Sequence, residues 1–345
     1  MKHRLLLRFV VVVAFLVGCG SSKDTRVTPP TTPVAQASAS AAPSATEAPS
    51  AVASSQAQTT PVAAAWHPLL YKITGGGVVA PSYLFGTIHV PDARLANFPP
   101  ELQKAVDASD EIVNEMPLDK AGDPMSMMSS FTMPNGKSLA TELPRPLYDR
   151  LKEAFTKKGL GMAFPMLEHM KVWAIAAQVA LLDHMMEMAT SGAKPIDVNL
   201  HDRGKAAGKA TSGLETQAEQ LSVFDGLTKD EQTRMLEQTL DQRDKDLREG
   251  NDPVAKLMNL YIAGSEQPLL TELNAGFDMT RPLDKKLLKR LITDRNKIMA
   301  DRSTTLMKTH PRRAYFIAVG AAHLLGDDGV IAQLKKKGFA VERVP

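Results

Sequence analysis

Residues 316–323 read Phe316-Ile317-Ala318-Val319-Gly320-Ala321-Ala322-His323: an apolar run, a glycine, two small residues and a histidine. The same order stands near the front of the chain in Tyr83-Leu84-Phe85-Gly86-Thr87-Ile88-His89. A short apolar run ending in glycine reads as a hydrophobic strand. Open α/β sheets hold their ligands at the carboxyl ends of such strands. Glycine is expected to let the backbone turn off the strand there. His89 and His323 would then stand on one edge, provided that the first and last segments of the fold share one sheet.

Working outward, Leu69 to Thr74 reads as a strand, followed by a Gly75-Gly76-Gly77 turn and a second strand from Ser82 to Thr87. A helix is expected from Pro99-Pro100 to about Ala108, then a short buried strand from Glu111 to Met116. Gly122 to Gly136 is rich in Met, Ser and Pro and reads as a loop or lid. Helical spacing covers Arg145–Lys158 and Met166–Ala189, then Asp197–Ala207 before a strand at Ala210–Gly213. Further helices are expected over Thr216–Phe224, Lys229–Arg248, Pro253–Ala263, Pro268–Gly276 and Pro282–Lys308. A strand from Arg313 to Gly320, a helix at Asp328–Lys337 and a strand at Phe339–Val344 close the chain. Strands at both ends and helices between them predict an α/β fold. Its central sheet is mixed and largely parallel, built from N- and C-terminal segments, with a large helical insertion.

This layout carries a candidate chemistry. Imidazole is a common ligand of transition metals. Glu115, at the end of the third strand, offers a carboxylate on the same edge. Two histidines, one carboxylate and an open position for water make a catalytic metal site. The alternative is a pair of buried histidines satisfied by backbone carbonyls. No His-Glu-x-x-His helix is present, so any metal would rest on dispersed ligands.

The ends of the chain read differently. Residues 1–18 are a short basic start and an apolar run of export-signal type, too short to span a bilayer. Leu16-Val17-Gly18-Cys19 resembles a lipobox, in which the cysteine is lipidated. Cys19 is the chain's one cysteine, so no disulfide framework or four-cysteine metal site can form within it. Residues 19–65 are Ala, Ser, Thr, Pro and Gln with hardly a large apolar group, the composition of an extended, disordered tether. The folded body is expected over residues 66–345. These features predict anchoring in the bacterial cell envelope through Cys19. Gly20 after the cysteine favours the outer membrane, and the body would lie in the periplasm or at the surface. Among 345 residues, 41 Lys+Arg against 38 Asp+Glu leave a net charge of +3, without the basic excess of a nucleic-acid binder.

A family resemblance joins these observations. The stretches Leu70-Tyr71-Lys72-Ile73, Ser82 to Val90, Ile112-Val113-Asn114-Glu115, Gly213-Leu214-Glu215-Thr216, Arg295-Asn296 and Val319 to Gly329 resemble the TraB/GumN family, related to the TIKI metalloproteases. The resemblance implies a fold similar to the erythromycin-esterase and ChaN-like proteins. It also implies a divalent metal, Mn2+, Co2+ or Zn2+, and a peptide or protein substrate. The family pattern holds two Gly-x-x-His motifs, a glutamate and an arginine. His89 and His323 match the histidines; Glu115, with Glu215 second, matches the glutamate. Arg295, with Arg203 as the alternative, matches the arginine. Glu115 would be a third metal ligand or the general base, Glu215 the base if Glu115 is a ligand, and Arg295 a group that stabilises an oxyanion. A second reading is a non-enzymatic lipoprotein that binds haem, iron or a peptide.

Other residues carry weaker signals. Met125, Met127, Met128 and Met133, with Met166, Met170, Met185, Met186 and Met188, allow a thioether copper site, but methionine more often fills irregular cores. His169 and His184 are expected on one helix, on or near one face, as structural residues. Asp197 is expected to cap the helix that it begins.

Overall fold

The computed structural model describes residues 66–119, 124–134 and 136–345, without the side chains of residues 124–127. The expected export signal, Cys19 and the expected tether lie outside the described residues. Six strands form one sheet: β1 (Leu70–Gly75), β2 (Ser82–Thr87), β3 (Glu111–Asn114), β4 (Ala210–Gly213), β5 (Tyr315–Gly320) and β6 (Phe339–Arg343). Their spatial order is β4-β3-β5-β2-β1-β6. β4, β3, β5 and β2 are parallel, and β1 runs antiparallel to both β2 and β6. The α/β class and the mixed, largely parallel sheet are as expected.

The position of β5 decides where the two histidine motifs lie. All six of its residues are buried, as its uninterrupted apolar sequence requires of a strand covered on both faces. It enters between β3 and β2, pairing Tyr83 with Phe316 and Thr87 with Gly320 on one side and Glu111 with Tyr315 on the other. The last long segment of the chain thereby sits beside the first, and the two motifs run in register.

The turn between β1 and β2 uses Gly75, Gly76 and Gly77 at φ of +76°, +62° and +88°, conformations that favour glycine. Gly86 serves another purpose. It lies within β2, and a Cβ there would meet Leu324 Cδ1 at 2.6 Å, Leu69 Cβ at 3.1 Å and Ala321 Cα at 3.3 Å. Gly320 has φ −52°, which any residue can adopt. The glycines of the two motifs thus do not supply the sharp turn expected of them; Gly86 gives the room that lets the segment after β5 lie against β2.

The helical regions depart from expectation in several places, including unexpected short helical turns at Ala93–Leu95 and Leu139–Glu142. Pro124–Phe131 is a helix within the expected loop. The single helix expected from Met166 to Ala189 is three: Phe164–Leu167, Val172–Leu181 and Met185–Thr190. The middle helix is buried almost all round, with Trp173 stacked on Phe224 at 4.9 Å, so no amphipathic period marks its ends. His169 and His184 consequently share no helix: His169 Nδ1 meets the Lys137 carbonyl at 3.2 Å, and His184 Nε2 meets Asp252 Oδ1 at 3.1 Å. The long helix expected from Pro282 is a helix to Leu288, a π-helical turn at Lys289–Thr293 and a helix Asp294–Thr309. An extra residue in a turn rotates the next turn of helix by about 100° about the axis. The π turn ends at Thr293, two residues before Arg295. Among the described residues no helix is long and apolar enough to cross a membrane.

Candidate active site at the carboxyl edge of the sheet

The four parallel strands end along one edge, and each delivers one polar residue there. His89 follows β2, Glu115 follows β3, Glu215 follows β4 and His323 follows β5. Pairing continues past β3 and β4: Leu214 N–H donates to the Asn114 carbonyl at 2.9 Å and Glu215 N–H to the Glu115 carbonyl at 2.7 Å. Glu115 and Glu215 are therefore held side by side. A Cβ on Gly213 would meet Pro117 N at 2.3 Å and Met116 C at 2.5 Å, so the backbone after Glu115 passes there only because Gly213 has no side chain.

Two adjacent carboxylates repel, and both are buried: Glu115 is 8% exposed and Glu215 4%. Arg295, 7% exposed, answers both. Its Nη2 donates to Glu115 Oε2 at 2.7 Å and to Glu215 Oε2 at 2.7 Å, and its Nε donates to Glu215 Oε1 at 3.0 Å. Gln220 Nε2 donates to one oxygen of each carboxylate at 3.2 Å. Gly320 N–H, at the end of β5, donates to Glu115 Oε1 at 2.6 Å. Burial raises the Glu115 pKa, but the Arg295 charge, the two histidines when they are protonated and the Gly320 N–H outweigh it, and the carboxyl is held well below the usual range. The same carboxylates raise the already high pKa of Arg295 against the effect of its burial. Arg203, the alternative arginine, lies elsewhere: it donates to the Ala96 carbonyl at 2.9 Å and sits 4.2 Å over the Phe98 ring.

The histidines have different surroundings. His323 is fully buried on the short helix Ala321–Leu324. Its Nδ1 meets Asn296 Oδ1 at 2.7 Å, and its Nε2 lies 3.8 Å from Glu115 Oε1. That Nε2 has no hydrogen-bond partner among the described residues. Burial and the Arg295 charge press its pKa down to about 3, so the ring is neutral at ordinary pH. His89 Nδ1 lies 3.3 Å from Asp197 Oδ2. Burial lowers the His89 pKa, but the Asp197 carboxylate, by charge and hydrogen bond, raises it further, and the net shift is upward. Asp197 is thus the partner of His89; the backbone before its helix Ile196–Ala206 is capped at Pro195 without a side-chain bond. Asp197 and Asn296 are the residues whose part at the site the sequence does not reveal. Asn296 follows Arg295 and Asp197 stands near a helix start, both at positions that carry the family resemblance, but their histidine partners are remote in sequence.

Sequence candidates His89, Glu115, Glu215, Arg295 and His323 therefore meet at one edge. Among the described residues, no three His, Cys, Asp or Glu side chains are arranged as a ready-made metal-binding group. Both Glu115 oxygens are already engaged, accepting from Gly320, Arg295 and Gln220. What the edge offers is a neutral imidazole with an unpartnered nitrogen, a more basic imidazole backed by a carboxylate, and a pair of carboxylates bridged by one guanidinium.

The chain belongs to the TraB/PrgY/gumN family, whose model matches residues 69–343. It is similar to the metalloprotease TIKI2 of Danio rerio, 28% identical over 305 residues, which cover 77% of this chain and 58% of the relative. It is 26% identical over 306 residues to the metalloprotease TIKI1 of Homo sapiens, covering 77% of this chain and 60% of the relative. It is also 25% identical over 309 residues to a metalloprotease TIKI homolog of Amphimedon queenslandica, covering 76% and 59%. The chain thus spans about three fifths of the length of the curated relatives it matches. No solved structure matches it.

Proposed function

We propose that the protein is a divalent-metal-dependent hydrolase, a peptidase that acts on extracytoplasmic peptides or proteins, tethered to the membrane of the cell envelope through lipidated Cys19. The observation that carries this reading is the unpartnered His323 Nε2, buried at a strand end and facing Glu115 Oε1 across 3.8 Å. A buried acceptor without a partner costs about 1–3 kcal/mol, which a bound cation would recover. The donor types fit: imidazoles of His89 and His323 with the carboxylate of Glu115 are the set used by catalytic zinc, manganese or cobalt. The metalloprotease names of the TIKI relatives point the same way.

In this reading His89, His323 and Glu115 hold Mn2+, Co2+ or Zn2+, which when bound supplies Lewis acidity toward a peptide carbonyl. Glu115 would be the carboxylate ligand, its oxygens being oriented by Gly320, Arg295 and Gln220. Glu215, beside it, is the group that accepts a proton from water and returns it to the leaving amine. Arg295 holds the two carboxylates close and helps keep Glu115 ionised, and its guanidinium is the group that would donate to the developing oxyanion. Burial of these groups excludes bulk water and strengthens their interactions.

The test is metal analysis of the purified chain, followed by mass spectrometry of a peptide library incubated with Mn2+, Co2+ or Zn2+. Bound metal and cleavage that disappear in His89→Ala and His323→Ala support the reading. Cleavage retained in both variants overturns it. A Soret band on haem titration with no hydrolysis under any of the three metals would instead establish the binding lipoprotein.

A further inference from the structure

The segment after His323, Leu324-Leu325-Gly326-Asp327-Asp328-Gly329, belongs to the family motif but places none of the site's charged groups. It doubles back tightly. Gly326 sits at φ +85°, and a Cβ on Gly329 would meet the Leu324 and Leu325 carbonyl oxygens at 2.3 and 2.5 Å. The consequence of this turn is that the Asp328 carbonyl comes to lie 2.9 Å from Asn296 Nδ2. Asn296 is itself 1% exposed.

A carbonyl oxygen only accepts, so the Asn296 atom facing Asp328 is the NH2 group. The atom facing His323 Nδ1, at 2.7 Å, is then the amide oxygen. That oxygen also only accepts, so His323 Nδ1 carries the proton. A neutral imidazole has one N–H, and the lone pair is left on Nε2, the atom without a partner.

We infer that Asn296 is a positioning residue: anchored by the Asp328 carbonyl, it holds His323 as the Nδ1–H tautomer and so makes Nε2 the nitrogen that the site presents. The function of the Leu324–Gly329 turn is to carry that anchor. Unlike the Asp197 partner of His89, Asn296 does this without placing a charge against the ring. The Nδ1–H assignment stands on hydrogen-bond geometry, and the lone pair on Nε2 on the neutrality of a fully buried ring whose Nε2 has no partner among the described residues; the consequence for metal affinity rests on the hydrolase reading above.

The experiment uses the full chain, labelled with 15N-histidine and stripped of metal. Long-range 1H–15N correlation spectra separate the two tautomers, and the His323 signal is identified by its loss in His323→Gln. The expected result is an Nδ1–H tautomer at His323 in the native chain. Asn296→Asp keeps an acceptor toward His323 while losing the donor to Asp328, and is expected to keep the tautomer. Asn296→Ala removes the acceptor and is expected to shift His323 to Nε2–H or to a mixture. Loss of such an outer partner typically lowers metal affinity by about 10–100-fold. Titration with Co2+ should therefore show that drop in Asn296→Ala and a smaller one in Asn296→Asp. An Nε2–H tautomer at His323 in the native chain overturns the inference, as does an unchanged tautomer in folded Asn296→Ala. If Asn296→Ala does not fold, the native spectrum and Asn296→Asp decide. A native chain with the Nδ1–H tautomer that binds no Co2+ refutes the metal reading and leaves the positioning role intact.

Discussion

The backbone N–H of Gly320 donates to Glu115 Oε1 at 2.6 Å, which ties the end of β5 to the acid at the end of β3. The second histidine motif therefore holds more than its histidine. Its glycine supplies a donor that orients the carboxylate facing that histidine, and helps keep it ionised.

Arg295→Met should be strongly destabilising. Methionine fills much of the same space, but two buried carboxylates lose their cation. Breaking one side of a buried ion-pair network costs about 3–5 kcal/mol. Urea unfolding at pH 7 measures the loss. Repeating it near pH 5 should narrow the gap to the native chain, because the buried Glu115 carboxyl, no longer held down by Arg295, then takes up a proton.

The two glutamates should separate by function. Glu115→Gln is expected to lose both bound metal and cleavage. Glu215→Gln is expected to keep metal and lose turnover by about 10²–10⁴-fold, the usual worth of a general base. Metal content by mass spectrometry and kcat on a cleaved peptide give the comparison. Metal lost from Glu215→Gln and retained by Glu115→Gln would exchange the two roles.

Acid should destabilise the metal-stripped protein in a defined window. The folded pKa of His323 is depressed from 6.5 to about 3, so the unfolded chain binds a proton there that the folded chain refuses. Stability must fall as the pH drops from about 6.5 toward 3. Glu115, depressed from 4.5, adds in the same direction below that value. His89 is raised, so its contribution is present below 6.5 and is lost as the pH rises through its folded pKa. Melting temperature against pH in a chelator should therefore decline on the acid side, and His323→Gln should flatten that limb.

Gly86→Ala should disturb the site from within the sheet. The added methyl meets Leu324 Cδ1 at 2.6 Å and Ala321 Cα at 3.3 Å, in the helix that carries His323. Overpacking of this kind costs about 1–3 kcal/mol. The expected outcome is a folded protein of lower melting temperature and weaker metal binding. Native affinity in a normally stable variant would count against the close-approach role of Gly86.

Much of the fold is legible along the chain. β2 and β4 have the bounds that their apolar or small-residue runs imply, and the other strands differ by a residue or two at their ends. The helices Arg145–Lys157 and Lys229–Glu249 follow their periodicity, the latter begun by Thr228 with Glu231 and ended by Gly250 at φ +66°. The failures have a common cause. Where a helix is buried all round, as at Val172–Leu181, its ends carry no change of period; where a π turn interrupts one, as at Lys289–Thr293, the residues remain good helix formers.

The order of the residues alone determined the strands, the two histidine motifs, Glu115 and the family, because propensity, apolar period and motif spacing are properties of consecutive residues. Which side chains face one another was decided by the tertiary structure. The entry of β5 between β3 and β2 brings Gly320 to Glu115; the helix Asp294–Thr309 brings Arg295 to both glutamates and Asn296 to His323; the helix Ile196–Ala206 brings Asp197 to His89. Most of these pairings join residues far apart in the chain. They exist because burying the apolar faces of the sheet allows only a few placements of the helices, and a polar group carried into that interior must find its partner there.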